Sequence, residues 1–364
     1  MEEVMVVGGG PAGLCAAIES ARYGVKVILI DENDMPGGQL FKQIHRFFGS
    51  AQHRAGIRGY DIGNSLLSES EKLGVRVLLN TVVWGIFQDN FLGIKTEKET
   101  KILQAKKIVV GTGALENPLA FPGWTLPGVM GAGAAQTMMN IQRVLPGKRI
   151  LMIGSGNVGL IVSYQLLQAG AKVVALVEAL PKISGYLVHA AKISRAGVQI
   201  LTSHTIVKAD GKGEVKKAVI AKIDENFKMI KGTEKEIKVD LVCIAVGLRP
   251  LDELCWMAGC QFTYIPSLGG FIPLHSRDME TTVSGIYVAG DVSGIEEAST
   301  AIEEGKLAGI AIAESLGYIS KKEAEEKKEL SWESLRELRL GSFGEGRQKT
   351  KDLILKQYNS LHKM

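Results

Sequence analysis

Two glycine-spaced segments carry the chemistry that can be read most directly from this chain: GGGPAG at Gly8 to Gly13 and GSGNVG at Gly154 to Gly159. In each, three glycines sit where a strand turning into a helix needs a tight turn, close backbone approach to a pyrophosphate, and close helix packing. The turn then aims a helix N-terminus at phosphate charge. In the first copy these glycines are Gly8, Gly10 and Gly13, with Pro11 and Ala12 opening the helix; in the second they are Gly154, Gly156 and Gly159, with Asn157 and Val158 between them. Two dinucleotide pockets are expected, although a strand–helix–strand unit can also keep such glycines for packing alone.

The flanking elements suit that chemistry. Met5 to Val7 enters the first copy as a strand, LCAAIESARYG follows as a helix with small residues toward the sheet, and VKVILID ends a second strand at Asp31, with Glu32 beside it. RILMI, GLIVSYQLLQAG and AKVVALVE repeat the plan and end at Glu178. An acid at that position accepts hydrogen bonds from ribose hydroxyls and repels a ribose phosphate. Lys182, close by, complicates any preference of the second pocket between NAD and NADP.

At 364 residues the chain has room for two or three domains. A net charge of +4, spread along the sequence, gives no basic block of the kind nucleic acid requires. Cys15, Cys243, Cys255 and Cys260 form no CxxC pair and no zinc spacing, so neither a dithiol mechanism nor a metal site is expected. The N-terminus starts a strand without signal-peptide character, and the uncharged stretch 117–142 is broken by Pro118, Pro122 and Pro127 into a loop before a short buried helix. We therefore expect a cytoplasmic protein without an integral membrane segment.

Residues 1–115 read as a first αβ unit with a β-meander over 82–110. Residues 116–265 read as an inserted dinucleotide domain with its own meander over 205–245. SGIYVAGD and an alanine-rich helix return the chain to the first domain, giving 1–115 plus 266–320. Residues 321–364 are expected as a charged helical tail with a solvated face, covering a sheet edge.

Taken in order, GGGPAG with Asp31, GGQL at Gly37 to Leu40, GTGA at Gly111 to Ala114, GSGNVG with Glu178, and GIYVAGD at Gly285 to Asp291 resemble the FAD-dependent family with two dinucleotide domains that includes thioredoxin and glutathione reductases. The connecting text GGQLFKQIHRFFGS, ALENPLAFPGWTLPGVMGAGAAQTMMN and GDVSGIEEASTAIEEGKLAG is similar to the FAD-dependent component of amine and amino-acid dehydrogenases. Members of that group are the α chain of dye-linked L-proline dehydrogenase, the HcnB component of hydrogen cyanide synthase, the OoxA-type component of opine oxidase, and part of the α chain of sarcosine oxidase. The resemblance implies an α/β fold of two Rossmann-like domains, the second inserted in the first, and FAD as cofactor. The second site is left for NAD(H), an adenine nucleotide or nothing. It also implies a hetero-oligomer with a partner like D-amino-acid oxidase and a small 2Fe-2S protein, since no cysteine follows Cys260 to hold such a cluster here.

By that resemblance Gly38 and Gln39 approach the flavin edge, and Gly111, Thr112 and Gly113 pass against the cofactor. Val83 either contacts adenine through its backbone or is core. Asp291, after Gly290, accepts a hydrogen bond from a ribityl hydroxyl, and the helix opening at Ala298, Ser299 and Thr300 aims its N-terminus at the flavin pyrimidine. His45 and Arg46 are placed beside the ring or on a surface loop, and Phe47 and Phe48 are read as packing. No general base is identified. Hydride transfer between nicotinamide and flavin depends on stacking and distance more than on proton chemistry. The readings left open are an electron-transferring subunit, a stand-alone NADH-dependent reductase, and a nucleotide-binding scaffold.

Overall fold

A computed structural model describes residues 1–47 and 50–361. In chain order the first elements are β1 (Glu2–Val7), α1 (Pro11–Arg22), β2 (Val27–Ile30), α2 (Gly59–Lys72), β3 (Arg76–Leu78), β4 (Val82–Phe87), β5 (Phe91–Lys95) and β6 (Thr100–Val110). Then come β7 (Ala114–Glu116), β8 (Val129–Gly131), α3 (Ala132–Asn140), β9 (Arg149–Ile153), α4 (Asn157–Gln168), β10 (Lys172–Val177) and α5 (Leu187–Arg195). They are followed by β11 (Gln199–Leu201), β12 (His204–Asp210), β13 (Lys217–Lys222), β14 (Lys235–Lys238), β15 (Leu241–Ile244) and β16 (Leu248–Pro250). The chain closes with α6 (Glu253–Met257), β17 (Phe262–Ile265), β18 (Gly270–Pro273), β19 (Ile286–Val288), α7 (Ala298–Ser315), α8 (Lys321–Leu338) and α9 (Gly341–Leu361).

The chain divides into two compact units, one of Met1–Leu115 with Arg249–Met364 and one of Glu116–Leu248. In the first, the sheet runs β3-β2-β1-β6-β5-β4, with β19 added against β6. β1, β2, β3, the second half of β6 and β19 are parallel; the first half of β6 pairs antiparallel with β5. The eleven-residue β6 therefore belongs to the parallel sheet and to the meander at once. The near-continuous apolar runs of β1 and β2 follow from this, because both faces are covered. Val4, Val6, Val27 and Leu29 face α1 and α7, whereas Met5, Val7, Ile28 and Ile30 face the meander residues Ile86, Leu92 and Ile94.

The second unit repeats the plan. Its sheet runs β11-β10-β9-β15-β8 in parallel pairs. Ile150 and Met152 face the helices α3, α4 and α5, and Leu151 and Ile153 face the meander β12-β13-β14.

Two boundaries differ from the sequence expectation. Residues 249–265, assigned there to the insertion, lie with the first unit, because Leu254, Cys255 and Cys260 bury among Val7, Ile30 and Ile86. The segment from 321 onward is also part of that unit: Ala324, Trp332 and Leu335 of α8 are buried, the last two in the core beside α1 and α7. Its lysines and glutamates occupy the outer face, so a strongly charged sequence conceals an apolar stripe.

Candidate functional site

Four segments far apart in sequence meet at the C-terminal edge of the first parallel sheet. Gly8, at φ +99°, turns the chain out of β1, and a Cβ there would lie 2.4 Å from the Gly111 carbonyl oxygen. A Cβ on Gly13 would lie 1.9 Å from the Gly8 oxygen, so α1 can start this close to the turn only with glycine. Gly38 rests against Gly10, where a Cβ would come within 2.9 Å, and the Gly37 N–H donates to the Gly9 carbonyl at 2.6 Å. Gly290, at φ +79°, packs against Ala12, with 2.8 Å between a built Cβ and the alanine methyl. Gly10 itself faces open space, with nothing within 4 Å of its Cβ position. Pro11 begins α1, where a missing N–H costs no helical bond. The result is an open cradle at a helix N-terminus, of the polarity a pyrophosphate needs.

Asp31 is buried at the end of β2. Its Oδ2 accepts from the Gly9 N–H at 2.7 Å, and Oδ1 accepts from Asn33 N and Nδ2 at 2.9 and 2.8 Å. The carboxylate thereby fixes the cradle from below and retains acceptor capacity toward a ribose. Glu32 and Gln39 are exposed, and Val83 is half-buried against the meander core. Gly111 is buried beside Gly13, Thr112 donates to the Leu251 carbonyl at 2.6 Å, and Gly113 faces open space. Arg46 donates to the Gly56 carbonyl at 3.1 Å, His45 stacks on Phe47 at 6.3 Å between centroids, and Phe47 is buried. Phe48 lies outside the described residues.

Asp291 follows Gly290 at the same edge and is only partly exposed. Its Oδ1 accepts from the Glu296 N–H at 3.3 Å. Burial, with Glu304 and Glu296 nearby, pushes its carboxyl up to about 6, against the opposing pull of Lys351. A carboxylate held this reluctantly gains from a ligand hydroxyl that donates to it. α7 starts at Ala298 with Glu297 and Thr300 forming a reciprocal cap, and Ser299 is buried in the first turn. α7 reaches α1 through glycines: Cβ atoms on Gly305 and Gly309 would lie 2.2 and 2.6 Å from the carbonyl oxygens of Ala12 and Ala16.

The second unit holds the same geometry. Gly154 (φ +104°) turns under Ala245, Gly159 abuts the Gly154 oxygen at 2.2 Å from a built Cβ, and Gly156 faces open space. Val158 is 36% exposed, leaving the helix start accessible. Glu178 differs from Asp31 in having its acceptor positions filled by its own chain. Ser155 N donates to Oε2 at 2.9 Å, as do the Ser155 and Ser184 hydroxyls, and Leu180 N donates to Oε1 at 2.9 Å. Asn157 Oδ1 is likewise occupied, accepting from Tyr186 N at 2.8 Å. Lys182 is exposed.

Sequence reasoning missed a buried charge cluster beneath Asp291, formed by Glu296, Glu304, Arg339 and Lys351 with Ser293. The one signal for it was Glu304, an acid in the middle of an alanine-rich helix. All four cysteines are free and buried; burial pushes the Cys15 and Cys243 thiols up to about 12, while a hydrogen bond with Cys260, together with burial, pushes Cys255 up as well. Among the described residues no cluster suits a metal ion, and no helix is long and apolar enough to cross a membrane.

Among curated proteins, the chain is 30% identical to a component of opine oxidase from Agrobacterium tumefaciens (strain Ach5), covering 87% of itself and 66% of that protein. It is 27% identical to the alpha chain of sarcosine oxidase from Corynebacterium sp. (strain P-1), covering 87% of itself and 33% of that protein. It thus spans just under two thirds of the first relative and a third of the second. Thioredoxin reductase of T. acidophilum shares the fold at a TM-score of 0.70 and 22% identity, over 86% of this chain and 99% of that one. L-Proline dehydrogenase of P. horikoshii does so at 0.68 and 23%, over 90% of this chain and 58% of that one. These neighbours carry the two-Rossmann-domain class expected from the sequence. The pyridine nucleotide-disulphide oxidoreductase description matches residues 2–305, which span both glycine cradles, Asp291 and the start of α7, and the chain belongs to that oxidoreductase family.

Proposed function

We propose that the first unit binds FAD and that the chain is the electron-transferring subunit of an amino-acid dehydrogenase acting on a proline-, hydroxyproline-, sarcosine- or opine-type substrate. The observation that carries this reading is the convergence of Gly8–Gly13, Gly37–Gly38, Gly111 and Gly290–Asp291 on one cradle. An adenosine site alone would need only the first of these segments and Asp31. The additional approach of Gly38 and Asp291 supports a longer ligand running from ribose to ribityl chain.

In this reading the amides at the start of α1 bind the pyrophosphate, Asp31 accepts from the adenosine ribose, and Asp291 accepts from a ribityl hydroxyl. The first turn of α7 presents its N–H groups to negative charge. Bound FAD supplies a ring system that takes up an electron pair with a proton and passes electrons onward. The buried, high-pKa cysteines argue against a thiol relay, so electrons leave toward another chain. A partner chain is supported by the relatives, which are named as subunits of larger enzymes, and by an exposed aromatic surface on the first unit. There Trp256 stacks on Phe262 at 3.7 Å, Phe271 meets both Trp256 and Tyr264 edge-on, and Trp84 meets Phe87. Aromatic residues of this kind are enriched at interfaces between chains. The partner we propose is an oxidase-like flavoprotein, with a small 2Fe-2S protein to take electrons onward.

The test is reconstitution. The purified chain should hold FAD, oxidise none of these amino acids alone, and support dye-linked oxidation once an oxidase-like partner is added. Proline oxidation by the isolated chain refutes the electron-transferring role. A second reading, a stand-alone NADH-dependent reductase, is favoured by the open face at Gly156; rapid bleaching of the bound flavin by NADH would select it.

A further inference from the structure

Resting on the FAD reading, we infer that the C-terminal helices α8 and α9 are part of the flavin site, with Arg339 and Lys351 acting as positioning residues that hold the 290–297 segment in its receiving conformation. That segment carries Asp291 between Gly290 and Gly294, both at positive φ, and Asp291 itself has one weak backbone partner at 3.3 Å. Its shape must be set from outside.

The outside restraint is a relay of charge-assisted bonds. Glu304 of α7 accepts from the Gly290 N–H at 3.0 Å and from the Ser293 hydroxyl at 2.7 Å through Oε2. Its other oxygen accepts from Lys351 Nζ at 2.8 Å and Arg339 Nη2 at 3.0 Å. Lys351 also donates to the Ser293 carbonyl at 2.9 Å, so α9 grips the segment directly as well. Arg339 clamps Glu296 with two bonds, Nε to Oε1 at 3.0 Å and Nη2 to Oε2 at 2.6 Å. Arg339 and Lys351 are each only 3% exposed. Two cations and two carboxylates buried together contribute little net stability, and fixing one conformation is the better-attested use of such a cluster. On the other side, Ser334 of α8 bonds His53 Nε2 at 2.9 Å, tying the tail to the loop that follows Gly38–Gln39. The family match ends at residue 305, so both cations come from outside it.

The relay also sets the charge around Asp291. Glu304 on α7 and Glu296 in its own segment oppose ionisation of Asp291, and Lys351 on α9 favours it. Loss of Lys351 therefore leaves Asp291 protonated to higher pH.

The experiment is FAD titration of the flavin-stripped full chain, from mildly acidic to neutral pH, for wild type, Lys351→Met, Lys351→Arg and the exposed control Lys349→Met. Expected is at least a tenfold weaker Kd for Lys351→Met, with half-loss of binding moved to higher pH. Lys351→Arg should largely restore the affinity, and Lys349→Met should match wild type. A folded Lys351→Met with wild-type affinity and pH midpoint overturns the inference. Hydrogen exchange on the wild type tests it without any variant: FAD should protect both 290–297 and α9 around Lys351, and protection that stops at 297 overturns it. A wild type that takes up no FAD overturns the underlying reading, and this inference with it.

Discussion

Replacing Asp291 by asparagine should make the flavin-free protein more stable and the flavin complex weaker. In the folded chain its carboxyl is raised from an ordinary value of 3.8 to about 6. Between those values the folded state binds a proton that the unfolded state has released, so unfolding free energy falls as pH rises through this window and levels off above it. The whole rise corresponds to about 3 kcal/mol at neutral pH, an upper value because some water still reaches the residue. Asparagine keeps an oxygen for the Glu296 N–H and removes the charge. The flavin-stripped variant should therefore melt higher than wild type at neutral pH by roughly 2–6 °C, with the difference vanishing near pH 4. Calorimetry across that range measures it. With FAD present the order should reverse, since losing an anionic acceptor weakens one hydrogen bond by about 1.5–3 kcal/mol, roughly 10- to 100-fold in Kd. A variant no more stable than wild type at neutral pH, or one whose advantage is the same at acid pH, refutes the reasoning.

Other substitutions probe separate parts of the account. Gly305→Ala should cost about 1–3 kcal/mol in thermal stability and lower FAD content, because the new methyl meets the Ala12 carbonyl oxygen at 2.2 Å; an unchanged melting curve would mean α1 and α7 are not pinned there. Glu178→Gln should destabilise the second unit by about 1–3 kcal/mol, seen in a lower melting transition, while leaving flavin content alone, since four donors lose their charged acceptor. Native protein should resist thiol alkylation at mildly alkaline pH and yield all four thiols only when unfolded, counted by mass; a rapidly labelled native Cys15 or Cys243 would contradict their burial.

The two cradles were legible because their chemistry is local: glycine spacing, a strand before, a helix after, and an acid at the next strand end. The same holds for α7 and the meanders, whose periodicities lie within short windows. What escaped the sequence was pairing over distance. Arg339 and Lys351 read as solvated charges because their partners, Glu296, Glu304 and Ser293, lie 35 to 58 residues away on other elements. Glu178 read as a ribose acceptor because nothing in AKVVALVE shows that Ser155 and Ser184 would fill it. The domain edge at 265 slipped for a similar reason: Cys255 and Cys260 look neutral in sequence, and only packing against Val7 and Ile30 assigns them to the first unit.

The central claim is that the cradle of Gly8–Gly13, Asp31 and Asp291 holds FAD. A visible spectrum of the purified, folded chain, before and after adding FAD and removing the excess, tests it directly. The account predicts a flavin absorption band with one FAD retained per chain, lost on Gly13→Ala, where the methyl would overlap the Gly8 oxygen. A folded wild-type chain that stays colourless and retains no FAD contradicts it.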